Sequence, residues 1–508
     1  MSSGTITHTN SAYSGLDKAL LASLAGLVSF VIVEILLSPV WALAVLAVIT
    51  IAVCSWYRPL WVVWAIAAVL PFEPFVLKWV GDELYIAARY ASEALIYIVA
   101  GVTVIQKCVQ GKRLSLGPLA LPLATFAGIA VASAVANHNT LFDSAMGLRQ
   151  IFRYMLLYVA VVLLAPHEKW TQGSMIGIAG IALFESVLGS VQALTGGSLD
   201  GFLMPTGQKF IESITLTMGT SGFWQEGQRV FATMGRYDQL GIFLSFVLLL
   251  VVGFLFENTN RKPSRFWWWV LGAGCVALVL TYSRAAWFGF AIGFAVCGIG
   301  IKRNWRIAAG YMAVLLLAVA MYASLGIAQH YRIDLPNQTL TERLFESVSI
   351  QRILGEYYAL GRTYFLLHVP VNVLEHAPLL GVGPGMFGGG AAAALHNTEK
   401  YAELNLPYGI NGTEGYIDNN WLSLLGETGY LGVAAYALIL IVLARTALRV
   451  HRSSQSPLMR GLALGYCGAL AAFAFQGFFA TYFEVRTLAP YIWIFGGILA
   501  AEDMKILV

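Results

Sequence analysis

The sequence predicts an all-α polytopic membrane protein, and two observations carry that prediction. Hydrophobic residues make up 58% of the 508 positions and charged residues only 11%, far from the roughly 25% charge of a soluble domain. Mean hydropathy is +0.71. Apolar runs of about 17 to 25 residues, the length of a helix that crosses a hydrocarbon core, recur along nearly the whole chain, without the alternation of barrel strands.

Spans are expected at residues 19–37, 39–55, 59–77, 92–108, 117–136, 149–165, 173–195, 238–256, 266–283, 285–301, 306–327, 419–444, 461–481 and 484–500. The fold class is thus about 12–14 transmembrane helices. Lys and Arg accumulate in cytoplasmic loops. Arg58, Lys107 with Lys112 and Arg113, Lys169, Arg261 with Lys262 and Arg265, Lys302 with Arg303 and Arg306, and Arg445 with Arg449, Arg452 and Arg460 fall in every second connection. Both termini are then cytoplasmic. The outward connections are 78–91, 137–148, 196–237, the tight turn 282–285, and a large loop, 328–418, before the last three spans. Met1 to Asp17 has no basic n-region, so the first apolar run is expected to act as its own insertion signal rather than be cleaved.

The five cysteines, Cys54, Cys108, Cys275, Cys297 and Cys467, lie in or beside spans, which argues against disulfides and CxxC metal sites. No basic stripe with interleaved aromatics points to nucleic acid. Trp267, Trp268 and Trp269 beside a basic group fit an interfacial belt. Gly381-Val-Gly-Pro-Gly385 lacks the Lys-Ser/Thr of a nucleotide loop and reads as a turn shaping the outer loop. Asn337-Gln-Thr and Asn411-Gly-Thr fit the glycosylation pattern, a triplet that often arises by chance. Glu34 and Glu185 fall inside apolar spans, where an ionisable group suggests function, although neither has a basic partner at helical spacing.

Within the large loop, Phe365, Leu366, Val369, Val373 and Leu374 recur at spacings of three and four, as in an amphipathic helix lying in the outer interface. Pro370 is expected to kink or divide it. Residues 388–416 read as either a mobile lid or a passive connector.

Three polar strings interrupt the lipid-compatible chain and converge on the outward side: Arg229-Val-Phe-Ala-Thr-Met-Gly-Arg-Tyr-Asp238, Thr281-Tyr-Ser-Arg284 and Asp418-Asn-Asn-Trp-Leu422. A single arginine at a span boundary can simply snorkel to lipid head groups. Arg229, Arg284 and Arg362 together, joined by Asp418, instead suggest a pocket for a lipid-linked diphosphate, because the planar guanidinium matches phosphate oxygens in pairs. Cations placed where charge develops on a diphosphate leaving group lower the barrier to glycosyl transfer without a metal. A carboxylate or His supplies the base.

These strings resemble the motifs of the O-antigen ligase and polymerase superfamily. Arg229-Val-Phe-Ala-Thr-Met-Gly-Arg-Tyr-Asp-Gln-Leu-Gly241 is similar to the family's Arg-Val-x-Gly-Thr-Phe-Gly-Asn-Pro-Asn-x-Leu-Gly, and Thr281-Tyr-Ser-Arg-Ala285 to its Thr-x-Ser-Arg-Gly. Gly361-Arg362 with Pro378-Leu-Leu-Gly-Val-Gly-Pro-Gly-Met-Phe387, and Asp418-Asn-Asn-Trp-Leu-Ser-Leu-Leu-Gly-Glu-Thr-Gly429, follow in family order. The resemblance covers about residues 220–440. It implies a GT-C-like, metal-independent glycosyltransferase, with no cofactor, that uses undecaprenyl-diphosphate-linked glycans at the periplasmic face of the bacterial inner membrane.

By the same resemblance Arg229 and Arg284 contact the diphosphate. Asp418 stands where the family usually has His, as base or acceptor-positioning residue, and Tyr237-Asp238 replaces Pro-Asn. Arg362, Asn419, Asp238, Arg236 and His396 are expected to line the substrate site. A competing reading makes Asp418 the N-cap of the following span.

The expected organisation is N-terminal helices over 1–219, a ligase/polymerase-like core over 220–445 and C-terminal helices over 446–508. The expected activity is polymerisation of lipid-linked repeat units into exopolysaccharide or O-antigen. The alternatives are a ligase that transfers glycan to lipid A core or protein and, from another class, a bicarbonate-type solute transporter. Expected partners are polyprenyl-diphosphate-linked donor and acceptor, the bilayer, and a chain-length regulator or export complex.

Overall fold

The computed structural model describes residues 39–207, 209–211, 214–217, 226–257, 264–324 and 339–507. The expected span 19–37 with Glu34, the basic residues Arg261 and Lys262, and the Asn337 triplet lie outside them.

The chain opens with α1 (Pro39–Tyr57), α2 (Pro59–Val69), α3 (Asp82–Val109), α4 (Ala120–Ala136), α5 (Leu141–Phe152), α6 (Met155–Leu164) and α7 (Glu168–Leu194). A small antiparallel hairpin pairs Lys209–Ile211 with Ile214–Thr217. Next come α8 (Tyr237–Glu257), α9 (Arg265–Leu280), α10 (Arg284–Ala295) and α11 (Trp305–Ser324). The large connection contributes α12 (Leu340–Phe345), α13 (Ile350–Tyr358) and α14 (Arg362–His376). The chain closes with α15 (Asn420–Ser453), α16 (Pro457–Gln476) and α17 (Ala489–Leu507).

The protein is an all-α polytopic membrane protein. Among the described residues seven helices are long and apolar enough to cross a membrane, or eight if α5 and α6, bent by 52°, form one span. Four shorter apolar helices accompany them. Full-length spans are fewer than hydropathy suggests because several apolar runs are broken. The run 59–77 stops at Val69, before Pro71 and Pro74. The run 149–165 bends around Arg153, between α5 and α6.

Helix α8 is the centre of the bundle, with 78% of its apolar window buried. Lipid tails are as apolar as Leu, so close approach of backbones must supply the association energy. A Cβ on Gly253 of α8 would lie 2.2 Å from the backbone nitrogen of Gly465 in α16. The same core joins the chain's ends: α17 packs on α6 and α15 on α4. At about 1.5 Å per residue, the 21 residues of α8 cover roughly one bilayer core. Its far end, Glu257, pairs with Lys302 and with Arg460 at 3.0 Å. Its near end is the Arg229 string.

A second, smaller core lies in the large loop. Phe365, Val369 and Val373 of α14 pack with Val382, Phe387, Tyr401, Ile417 and Leu425. That stripe therefore faces the protein rather than an interface, while Leu366 and Leu374 remain exposed. Helix α14 runs undivided through Pro370, whose carbonyl accepts a hydrogen bond from the Tyr430 hydroxyl at 2.9 Å. Residues 388–416 are folded around buried Tyr401, which donates to the Gly415 carbonyl at 2.7 Å and accepts from the Gly388 N–H at 2.8 Å. Trp268 and Trp269 are exposed as a belt requires, but Trp267 is a core residue, 4.6 Å from the Phe254 ring.

Gly465→Val forces a methyl-bearing side chain into the α8–α16 contact and is expected to lower stability by about 1–3 kcal/mol. Gly272→Val, in a helix position with open space around it, should leave the unfolding temperature of the detergent-solubilised protein unchanged. Equal effects would show that the close contact does not hold the bundle.

Candidate functional site

The Arg229 string has few helical hydrogen bonds of its own, so its backbone groups must find partners elsewhere. They find them on α7. Gln192 Oε1 accepts from the N–H groups of Phe231 and Ala232, both at 3.0 Å, and Gln192 Nε2 donates to Asp200 at 2.8 Å. Asp200 also accepts from the Gly227 N–H at 3.1 Å. One turn pair earlier, Glu185 accepts from the Thr233 N–H at 3.1 Å and its hydroxyl at 2.5 Å. The carboxylate that looked like an isolated intramembrane acid is a strap for this string.

The second string is set against the first. The Val230 N–H donates to the Leu280 carbonyl at 3.3 Å. Tyr282 turns the chain with φ of 53°, and Arg284 is the first residue of α10. Gly241 leaves room for this turn, since a Cβ there would lie 3.2 Å from Ser283 Cβ.

Helices α12 and α13 then bring a buried carboxylate into the cluster. Thr339 and Glu342 form a capping box that starts α12. Glu346, with only 1% of its side chain exposed, lies 3.2 Å from Arg284 and 2.9 Å from Arg343, and also pairs with Arg352. Burial pushes its carboxyl up, but Arg284, Arg352 and Arg343 outweigh that and hold it below the usual range. Arg352 reaches Glu356 at 2.6 Å. Arg362 meets Asp418 at 2.6 Å, and Arg236 binds Asp238 through two bonds of 3.0 and 3.1 Å. Asp238 also accepts from Tyr482 at 3.3 Å.

Two arginines stand apart from this pairing. Arg229 lies 4.4 Å from the Tyr237 ring and has no carboxylate partner among the described residues. Arg284 Nη1 is buried with no hydrogen-bond acceptor among them, despite its ion-pair distance to Glu346. Among the described residues the six arginines 229, 236, 284, 343, 352 and 362 face four carboxylates, Asp238, Glu346, Glu356 and Asp418, two more positive charges than negative. A diphosphate diester carries two negative ones.

Beside the cluster opens a cavity of about 550 Å³ lined by Arg236, Asp418, His396, Tyr416 and Glu414. Burial, with Asp418 next, pushes the Tyr416 hydroxyl up to about 12. Asp418 is not a helix cap: Asn419 caps α15, accepting from the Leu422 N–H at 3.1 Å, while Asp418 precedes it with φ of 47°. The residues expected at the site are thus brought to one end of the bundle, with Asn419 engaged in capping and His396 exposed at the cavity.

The glycine string rivets the loop to the bundle. Val382 and Gly383 donate to the Gly426 and Glu427 carbonyls at 2.8 and 3.0 Å, and Gly385 donates to the buried Glu427 carboxylate at 2.9 Å. From α4, Asn137 donates to the Gly381 carbonyl at 2.9 Å. Gly383 has φ of 109°, closed to an L side chain, and a Cβ would strike Asn139.

Sequence reasoning missed Arg343, Arg352, Glu346 and Tyr482, which the recognised motifs do not contain. The signal available was the Thr339-x-x-Glu342 capping box opening a helix with Arg343 and Glu346 one turn apart. Gln192→Leu strands two backbone N–H groups, at about 1–3 kcal/mol each. It is expected to depress glycan synthesis in a complemented deletion strain although Gln192 lies outside the cavity. Wild-type glycan yield at normal protein level would remove the strap from the account.

Residues 269–437 match the family model described as O-antigen ligase. The match spans about one third of the chain, supports the O-antigen ligase/polymerase superfamily, and supports an enzyme in general. It contains Arg284, Arg362 and Asp418, and starts after the Arg229 string rather than near residue 220. No curated protein is significantly similar to the chain.

Proposed function

We propose that this O-antigen ligase-type membrane enzyme is a polymerase that joins undecaprenyl-diphosphate-linked repeat units at the periplasmic face of the bacterial inner membrane. The observation that carries this reading is that, among the described residues, Arg229 has no carboxylate partner and Arg284 Nη1 is buried with no hydrogen-bond acceptor. The diphosphate of the donor supplies the carboxylate-like partner that Arg229 lacks and the acceptor that Arg284 Nη1 lacks among the described residues. The acceptor hydroxyl attacks the donor's anomeric carbon, the bond from that carbon to the phosphate oxygen breaks, and its electron pair leaves on the diphosphate. The arginines stabilise that charge in a site calling on no metal.

Asp418, in the cavity beside Arg236, takes the hydroxyl proton as general base. The positive-inside rule supports the outward placement of this end, because the basic loops gather at the opposite end near Glu257, Lys302 and Arg460. Of the two intramembrane acids, Glu34 and Glu185, that would favour a transporter, Glu185 is committed to Thr233. A ligase remains the second reading. Asp418 in place of the usual His favours the polymerase.

Arg284→Lys is expected to cripple chain extension while the protein folds normally, because a point charge cannot replace a bidentate fork. Arg229→Ala and Arg284→Ala should each do as much damage as the pair, since both act on one leaving group. Glycan chain length in a complemented deletion strain tests this, and two mild, additive losses would separate the arginines.

Asp418→Asn tolerates the left-handed backbone and leaves the Asn419 cap intact. Turnover of a purified lipid-linked repeat unit is expected to fall by about 10² to 10⁴. Near-normal turnover would assign the base elsewhere.

A further inference from the structure

The cavity has a second wall that the motifs do not contain. It is built from the N-terminal helices and the segment before α17, and carries Arg89, Arg153, Arg486, Glu73 and Glu484. Arg89 lies seven residues into α3, itself a candidate span, which is about 10 Å from the helix start at 1.5 Å per residue. The apolar stretch 92–108 follows it, so Arg89 sits at the outward edge of the span, half-buried at the cavity wall.

No carboxylate among the described residues lies within ion-pair distance of Arg89. Glu73 is taken by Arg486 and by the Ser92 hydroxyl at 3.1 Å. Arg486 also donates to the Arg89 carbonyl at 3.1 Å, which holds the segment before α17 against α3 and sets the two cationic residues side by side. Arg153 spends its terminal nitrogens on Glu93 at 3.3 Å and the Glu484 carbonyl at 2.8 Å, but its Nε is buried with no acceptor among the described residues. This wall therefore holds donor capacity that the protein itself does not satisfy, and it faces Arg236 and Asp418 across a cavity large enough for a head group.

We propose that Arg89, Arg153 and Arg486 form a second oxyanion subsite, which holds the diphosphate of the acceptor lipid while the donor diphosphate sits at Arg229 and Arg284. The assignment to acceptor rests on the polymerase reading, in which both substrates are carried on lipid diphosphates. The acceptor's diphosphate stays bonded throughout. The subsite only anchors it, so that the glycan's far end reaches Asp418.

The test counts undecaprenyl diphosphate bound to the full-length protein in phosphatidylcholine nanodiscs by native mass spectrometry. Two equivalents are expected for the wild type. One is expected for Arg89→Gln, and one for the Arg229→Ala/Arg284→Ala pair. Arg89→Lys, which keeps the charge and guards against misfolding of the Gln variant, should weaken one equivalent about tenfold. A single equivalent in the wild type, or two retained by both Arg89 variants, would overturn the subsite. Displacement of one equivalent by excess phosphatidylglycerol would also overturn it, as a generic lipid head-group site. Loss of one equivalent with Arg89→Gln but none with the Arg229/Arg284 pair would uphold the subsite and reject the donor assignment.

Discussion

Guanidinium groups gathered at the end of a helical bundle repel one another, and burial deprives them of water that would screen the repulsion. Glu346 answers that constraint here. Among the described residues it is the carboxylate that meets Arg284, Arg343 and Arg352 together. Taking two charges out of water is costly unless each is well paired, and Arg352 is matched a second time by Glu356 at 2.6 Å. The remainder of the cluster follows the same rule, with Asp238 and Asp418 each matched to one arginine. Among the described residues Arg229 meets no carboxylate and Arg284 Nη1 no hydrogen-bond acceptor. An anion that enters meets donors already oriented, which is the condition for electrostatic stabilisation without reorganisation.

Holding such a cluster together requires a scaffold that does not yield to the repulsion. The bundle provides it through contacts too close for side chains, as at Gly253 and Gly465. The loop is fixed by the glycine string clasped between α4 and α15, and the Arg229 string by Glu185 and Gln192. Each device reaches across the sequence boundaries that the motifs suggest. The strap comes from α7, and the second cationic wall from α3, the α5–α6 bend and the segment before α17. Helices outside the motif-bearing stretch thus shape the same cavity.

The fold class and the gathering of the candidate residues at one end of the bundle were legible in the sequence, for different reasons. Hydropathy marks apolar runs well but cannot see that Pro71 and Pro74 end one and that Arg153 bends another. The polar strings stood out because polar residues are rare in such a chain, and their convergence followed from loop charge. Glu185 was visible as an anomaly, but its partner is the backbone and hydroxyl of Thr233, and no helical spacing reveals a contact between distant segments. Asp418 and Asn419 could not be told apart as caps, because both residue types serve equally well, and only the backbone angle at 418 decides. The arginines on the second wall sit singly in ordinary surroundings and are linked only by the fold.

The proposed glycosyl transfer depends on where the diphosphate lies. An electron cryo-microscopy structure of the protein with a bound lipid-linked oligosaccharide tests that directly. Diphosphate density between Arg229 and Arg284, with Arg284 Nη1 hydrogen-bonded to it and the glycan directed toward Asp418, is the predicted result. Density elsewhere, with Arg229 still stacked on Tyr237 and Arg284 still turned to Glu346, would contradict it.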